Sequence, residues 1–138
     1  MTDSALLKAS ISDIAPRIKA REVSPVELVD AALAQAERLQ PMLKSFITLL
    51  PKKARAQAKQ REQAIAKGEY LGPLDGVPIG IKDNIATAGI RTTIGTKQFA
   101  EHVPEEDAFV VQRCVQAGAI VLGKENLHEW AAGGTSDN

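Results

Sequence analysis

Lys82 closes the run GPLDGVPIGIKDN, residues 72–84, and it is the side chain here best placed to do chemistry. Gly72-Pro73 and Asp75-Gly76 are turn dipeptides. After them Val77, Ile79 and Ile81 alternate with Pro78, Gly80 and Lys82, a period of two. The spacing predicts a short strand with three branched residues on one face and Lys82 on the other. Gly and Pro weaken a strand interior, so Pro78 and Gly80 beside Lys82 predict a close approach to this backbone. A lysine directed into such a gap would be partly desolvated, which disfavours its ammonium form. A neutral lysine can act as a general base. The competing reading is a solvated lysine at a strand end. Asp83 and Asn84 can bond their local backbone and fix the turn that follows.

Other candidates carry less. Lys124 is expected in a turn beside Glu125, where an ion pair would keep it charged and unsuited to be a base. Cys114 is the only cysteine. It reads as a small buried hydrophobe, since the sequence identifies no base beside it. His102 and His128 are 26 residues apart without an H-E-x-x-H string, a poor metal site. The loop holding Gly89, Thr92, Thr93, Gly95 and Thr96 contains no phosphate-binding glycine motif. At 133–138, GGTSDN offers free backbone N–H groups at Gly133 and Gly134 and hydroxyls at Thr135 and Ser136. Such a loop could line a substrate pocket, or could be a tail.

Several segments in order resemble one family. GPLDGVPIGIKDN looks like the lysine motif of the amidase signature family, which includes general amidases and the A subunit of the glutamyl-tRNA(Gln) amidotransferase. TTIGT at 92–96, DAFVVQRCVQAGAIVLGKENLHEWAAGG at 107–134 and then TSDN follow at the usual spacing. The likeness covers about residues 10 to 138. It implies a Ser–cis-Ser–Lys triad that hydrolyses amides, with Lys82 as its lysine. The two serines of such a triad belong to a Gly/Ser-rich loop further on. By motif order Ser136 is not the nucleophile. Gly133, Gly134, Thr135 and Ser136 would then line the acyl pocket, and Lys124 would be structural. The resemblance implies a small amide substrate and neither a metal nor an organic cofactor. It leaves open simple hydrolysis, transfer of the ammonia to tRNA, an inactive truncated product, and a scaffold or binding domain that kept an amidase N-terminus.

The elements that must position Lys82 are readable from capping and periodicity. Ser10 and Asp13 predict a helix over about 11–20, with Pro16 tolerated near its first turn. Ser24, Pro25 and Glu27 start a second at 24–40, ended by Pro41. Residues 46–50 are a short apolar run that reads as a strand or an extended segment. Pro51 opens a basic helix to 67 that carries Lys52, Lys53, Arg55, Lys59, Arg61 and Lys67. It has no aromatic residue to stack on bases, so a solvated surface helix is the expectation and no nucleic-acid partner is expected. Asp107 should cap a helix over 108–117 with Phe109, Val110, Cys114 and Ala117 toward the core. Ala119–Leu122 is a buried strand, and Asn126 should start a short helix over LHEWAA. A strand, a helix and a strand predict a parallel pair with a crossover.

The fold class is therefore α/β: N-terminal helices, then the first strands and crossover helix of the amidase signature mixed sheet, incomplete. As domains, 1–138 is expected to be the N-terminal part of a single unit, with 1–70 mainly helical and 71–138 starting the α/β core. Seventeen basic residues balance seventeen acidic ones, so charge alone predicts no pull toward nucleic acid or anionic lipid. No long apolar run or signal peptide is apparent, and the expectation is a cytoplasmic protein with no membrane partner. A half-sheet exposes an edge and apolar surface. It predicts a chain that is marginal on its own or that associates with itself, as a homo-oligomer, or with a complementary C-terminal segment.

Overall fold

A computed structural model describes residues 6–135. Among the described residues, four α-helices and three strands whose bounds are complete run in the order α1 (Ile11–Lys19), α2 (Pro25–Leu43), β1 (Phe46–Leu49), α3 (Pro51–Ala66), β2 (Pro78–Lys82), α4 (Phe109–Gln116) and β3 (Ile120–Glu125). Short 3-10 turns lie at Lys97–Phe99 and Glu129–Ala131.

Both first helices begin as their sequences predict. The Ser10 hydroxyl accepts from Asp13 N, and Asp13 accepts from Ser10 N. Ser24 accepts from Val26 N and Glu27 N, while Glu27 reaches back to Ser24 N. These reciprocal bonds satisfy amides that an uncapped helix start leaves orphaned. The prolines behave differently from expectation. Pro16 lies beyond the first turn of α1, and Pro41 lies inside α2 instead of ending it. The last turn of α2 is held from outside the helix. Gln40 donates to Phe46 O at 2.6 Å and accepts from Phe46 N at 3.1 Å, clamping it to β1. The helix then ends at Lys44, which takes a left-handed φ of 47°.

The sheet order is β1-β3-β2, with β1 antiparallel and β2 parallel to β3. α4 is the crossover between the parallel strands. β3 is buried from Ile120 through Lys124 because it has a strand on each side and a layer on each face. On one face Ile120 and Leu122 pack with Val29 and Leu33 of α2 and Ala54 and Ala58 of α3. On the other face Val121 and Ile81 pack with Val111 of α4. A third cluster, including Ile14, Ile18, Leu28, Ile65 and Val77, joins the helices to the start of β2. Each fully buried aliphatic side chain contributes about 1.5–3 kcal/mol.

The face of α4 is a correction. Phe109 is 76% exposed, Val110 is exposed, and only Val111 of this helix is buried. Cys114 is half-buried. Asp107 does not cap α4 either; it accepts from Ala88 N at 2.6 Å and so ties down the preceding loop. β3 runs three residues past the expected Leu122, so Gly123, Lys124 and Glu125 are strand rather than turn. Asn126 starts no helix. Its side chain bonds Lys44 O and Leu127 N, and only the 3-10 turn follows. Among the described residues no helix is long and apolar enough to cross a membrane.

Candidate active site at the ends of the parallel strands

Lys82 and Glu125 are register partners at the C-terminal ends of β2 and β3. Ligands of open α/β sheets bind at this end of parallel strands. The backbone around Lys82 is pinned on both sides. Asp83 N donates to Glu125 O at 3.0 Å, and Ile85 N donates to Lys82 O at 3.0 Å. The Lys82 side chain is exposed, and among the described residues nothing bonds to it. The desolvating gap expected around it is therefore absent from residues 6–135. What approaches the backbone at Gly80 is the Glu125 side chain, which occupies the space a β-carbon would need.

Asp83 is fully buried. Its Oδ2 accepts from Thr93 N at 2.8 Å and from Thr93 Oγ1 at 2.6 Å. Its backbone carbonyl accepts from Ile94 N at 3.1 Å. Ile94 has φ 57°, a left-handed conformation that strains a β-branched residue. Ile94 O accepts from Trp130 N, and Trp130 and Ala131 also take left-handed φ values of 58° and 56°. Three strained residues thus converge beside the strand ends, at about 1–3 kcal/mol each. Such strain persists only where the surroundings over-determine it.

The buried lysine is Lys124, not Lys82. Its side chain is 0% exposed. A register shift between Ile79 and Gly80 gives β3 one extra residue and sets Lys124 opposite Ile81, on the α4 face. There its Nζ donates to Ile85 O at 2.6 Å, Thr92 Oγ1 at 2.7 Å and Thr87 Oγ1 at 3.1 Å. Its ion-pair partner is Asp83 Oδ1 at 3.7 Å, not the expected Glu125. Burial pushes the Lys124 ammonium below the usual lysine value, and the charge of Asp83 opposes that shift. Asp83 Oδ1 makes no hydrogen bond of its own.

The sequence pattern does not bring Lys124, Thr87, Thr92 and Thr93 together, and the structure does. A usable signal was present: a lysine in an apolar strand, with a nearby loop rich in threonine. Gly133, Gly134 and Thr135 are exposed beyond the 3-10 turn, and Gly133 lies against the His128 ring. Ser136 lies outside the described residues. His128 Nδ1 lies 3.1 Å from Glu129 O, and His102 stacks edge-on to Phe99.

A family model for amidases matches residues 27–138. The chain belongs to the amidase family. The A subunit of the glutamyl-tRNA(Gln) amidotransferase from Trichodesmium erythraeum is 46% identical over 130 residues, which are 94% of this chain and 27% of that protein. Its namesake from Methylococcus capsulatus is 44% identical, with the same coverage. Among solved structures, the native peptide amidase of Stenotrophomonas maltophilia superposes with a TM-score of 0.85 at 36% identity, covering 91% of this chain and 26% of that one. A fatty acid amide hydrolase shares the fold, with a TM-score of 0.86 at 22% identity over 92% of this chain and 23% of that one. This chain thus spans about a quarter of the length of the amidase-family proteins it matches.

Proposed function

We propose that residues 1–138 form the N-terminal part of a single amide-hydrolysing domain and contribute Lys82 as its general base. The observation that carries this reading is the position of Lys82. It stands free at the open end of a parallel strand pair, on a backbone locked by Asp83, Ile85 and Glu125. A base must present an unengaged nitrogen in a fixed place.

In the reaction, neutral Lys82 takes a proton from the bridging serine of a Ser–cis-Ser–Lys triad. That serine takes one from the nucleophilic serine, and both serines lie outside residues 1–138. The nucleophilic oxygen bonds to the amide carbonyl carbon, and backbone N–H groups hold the oxyanion. Collapse breaks the C–N bond, and the amine leaves with the proton that Lys82 held. Water then cleaves the acyl ester. The segment bearing the serines also has to cover Lys82, since residues 6–135 leave it in solvent. Gly133, Gly134, Thr135 and Ser136 are proposed to border the acyl group.

The second reading, an A subunit of a tRNA-dependent amidotransferase, uses the same first half-reaction with glutamine as the amide. The names of the curated relatives favour it. The basic helix α3 adds little support: Arg55 is paired with Asp30 and Arg61 with Asp75, leaving Lys52, Lys53 and Lys59 on its exposed surface and Lys67 just past its end.

Lys82→Ala in the amidase-competent protein containing this chain tests the assignment. Ammonia release from benzamide and from L-glutamine should both fall by at least a thousandfold with the melting temperature unchanged. Turnover within tenfold of the parent removes Lys82 from the mechanism.

A further inference from the structure

Lys124 is the largest fully buried side chain of the described chain, and the proton transfers above do not use it. Its hydrogen bonds define its state. The Thr87 hydroxyl donates to Ile85 O at 3.1 Å, and the Thr92 hydroxyl donates to Ile90 O at 3.1 Å. Each hydroxyl has one hydrogen, so toward Lys124 both can only accept. Ile85 O can also only accept. The Lys124 nitrogen therefore donates three times, which requires the ammonium with its three hydrogens. Its positive charge faces the carboxylate of Asp83 at 3.7 Å.

The acceptors are spread along the loop that follows Lys82. Ile85 has its N–H on Lys82 O and its C=O on Lys124. Asp83, next to Lys82 in the chain, is held between Thr93 and Lys124. One buried cation thus gathers residues 83, 85, 87 and 92 into a single cluster behind the strand end.

We propose that Lys124 is a positioning residue, a buried ammonium that fixes the 83–92 loop and thereby the place from which Lys82 acts. The proposal rests on Lys82 being the base. Lys124 touches neither substrate nor the proton path. It supplies hydrogen bonds in three directions from the adjacent strand, and an apolar side chain of equal length supplies none.

The test uses the amidase-competent protein with Lys124→Met, Asp83→Asn/Lys124→Met, Thr92→Val and Lys82→Ala, assayed with benzamide and L-glutamine. Lys124→Met should lower the melting temperature and reduce kcat at least tenfold with KM within twofold. The double variant removes both buried charges. It should recover melting temperature while kcat stays at least tenfold down, because charge balance returns but the loop bonds do not. Recovery of kcat along with stability overturns the proposal, as does a folded Lys124→Met enzyme with kcat within twofold of the parent. If neither Lys124 variant folds, Thr92→Val decides: a kcat about fivefold lower at unchanged KM supports the role, and an unchanged kcat overturns it. An inactive Lys82→Ala beside a fully active Lys124→Met defeats only this inference. An active Lys82→Ala defeats the base assignment, and this inference with it.

Discussion

The Glu125 carboxylate lies on the α-carbon of Gly80, in the space a β-carbon would fill. Gly123, one strand over, is also crowded, but there the neighbours are the backbone of Thr48 and Leu49, with the Leu49 α-carbon 3.1 Å from where an alanine methyl would stand. An exposed carboxylate can swing away, whereas a strand backbone cannot. Gly80→Ala should therefore change the unfolding free energy by less than about 1 kcal/mol, and Gly123→Ala should lower it by about 1–3 kcal/mol. Urea titration of both variants checks the ranking, and equal losses would contradict it.

Asp75 is fully buried and receives Arg61 through two bonds, Nε at 2.7 Å and Nη2 at 2.9 Å, plus Leu71 N at 2.9 Å. Arg61→Met strands a buried carboxylate, and removing one partner of a buried pair costs about 3–5 kcal/mol. Arg61 keeps some solvent contact, so the low end applies. Arg61→Lys should retain only part of the stability, since a lysine cannot make the forked contact. Melting temperatures of the two variants report the difference.

Lys124 gives a pH dependence of defined sign. Its folded value lies below the ordinary 10.5, lowered by burial and opposed by the charges of Asp83 and Asp107. Between the lowered value and 10.5 the unfolded chain binds more protons than the folded chain, so this group adds stability as pH rises through that window. Burial raises the Tyr70 hydroxyl, which works in the opposite direction above about pH 10. Comparing the parent with Lys124→Met by denaturant unfolding as pH rises toward 10.5 reads the lysine, because Tyr70 is common to both proteins. The parent should gain on the variant as pH climbs, and a constant difference would show no contribution from Lys124.

Expressed alone, residues 1–138 should associate. β2 is an edge of the described sheet, and Phe109, Val110 and Val115 stand exposed on the crossover helix beside it. Such surface is an association site in a free chain. Light scattering should give a mass that grows with concentration, and Phe109→Asp should reduce it. A monodisperse monomer with a sharp melting transition would overturn this expectation.

Capping is legible in the sequence because it is local. Ser10, Ser24 and Glu27 form their bonds within three residues, and the helices start where those residues stand. The parallel pair is legible from the strand, helix and strand order. The place of Lys124 is not, because its strand contains a one-residue register shift that only the pairing partner reveals. Glycine beside lysine suggests a turn, and the structure continues the strand through both. Phe109 and Val110 defeat the pattern because periodicity shows which residues of α4 are apolar and says nothing of which have a neighbour. The exposed Lys82 has the same origin: desolvation depends on what covers a side chain, and nothing within residues 6–135 covers Lys82.

The central position of β3 has a consequence for vectorial synthesis. β1 and β2 bond to β3 and not to each other, so both wait for a strand made after them. Between Phe46 and its partner Glu125 the ribosome adds about 80 residues, roughly 4–16 s at about 5–20 residues per second. The cluster that joins α1, α2 and α3 to Val77 needs nothing later than Val77, so a nascent chain can assemble its helical half first. The strand ends that carry Lys82 and Lys124 take shape only when Glu125 has cleared the exit tunnel. A slow stretch of translation just beyond that point would act on the site and leave the helices untouched.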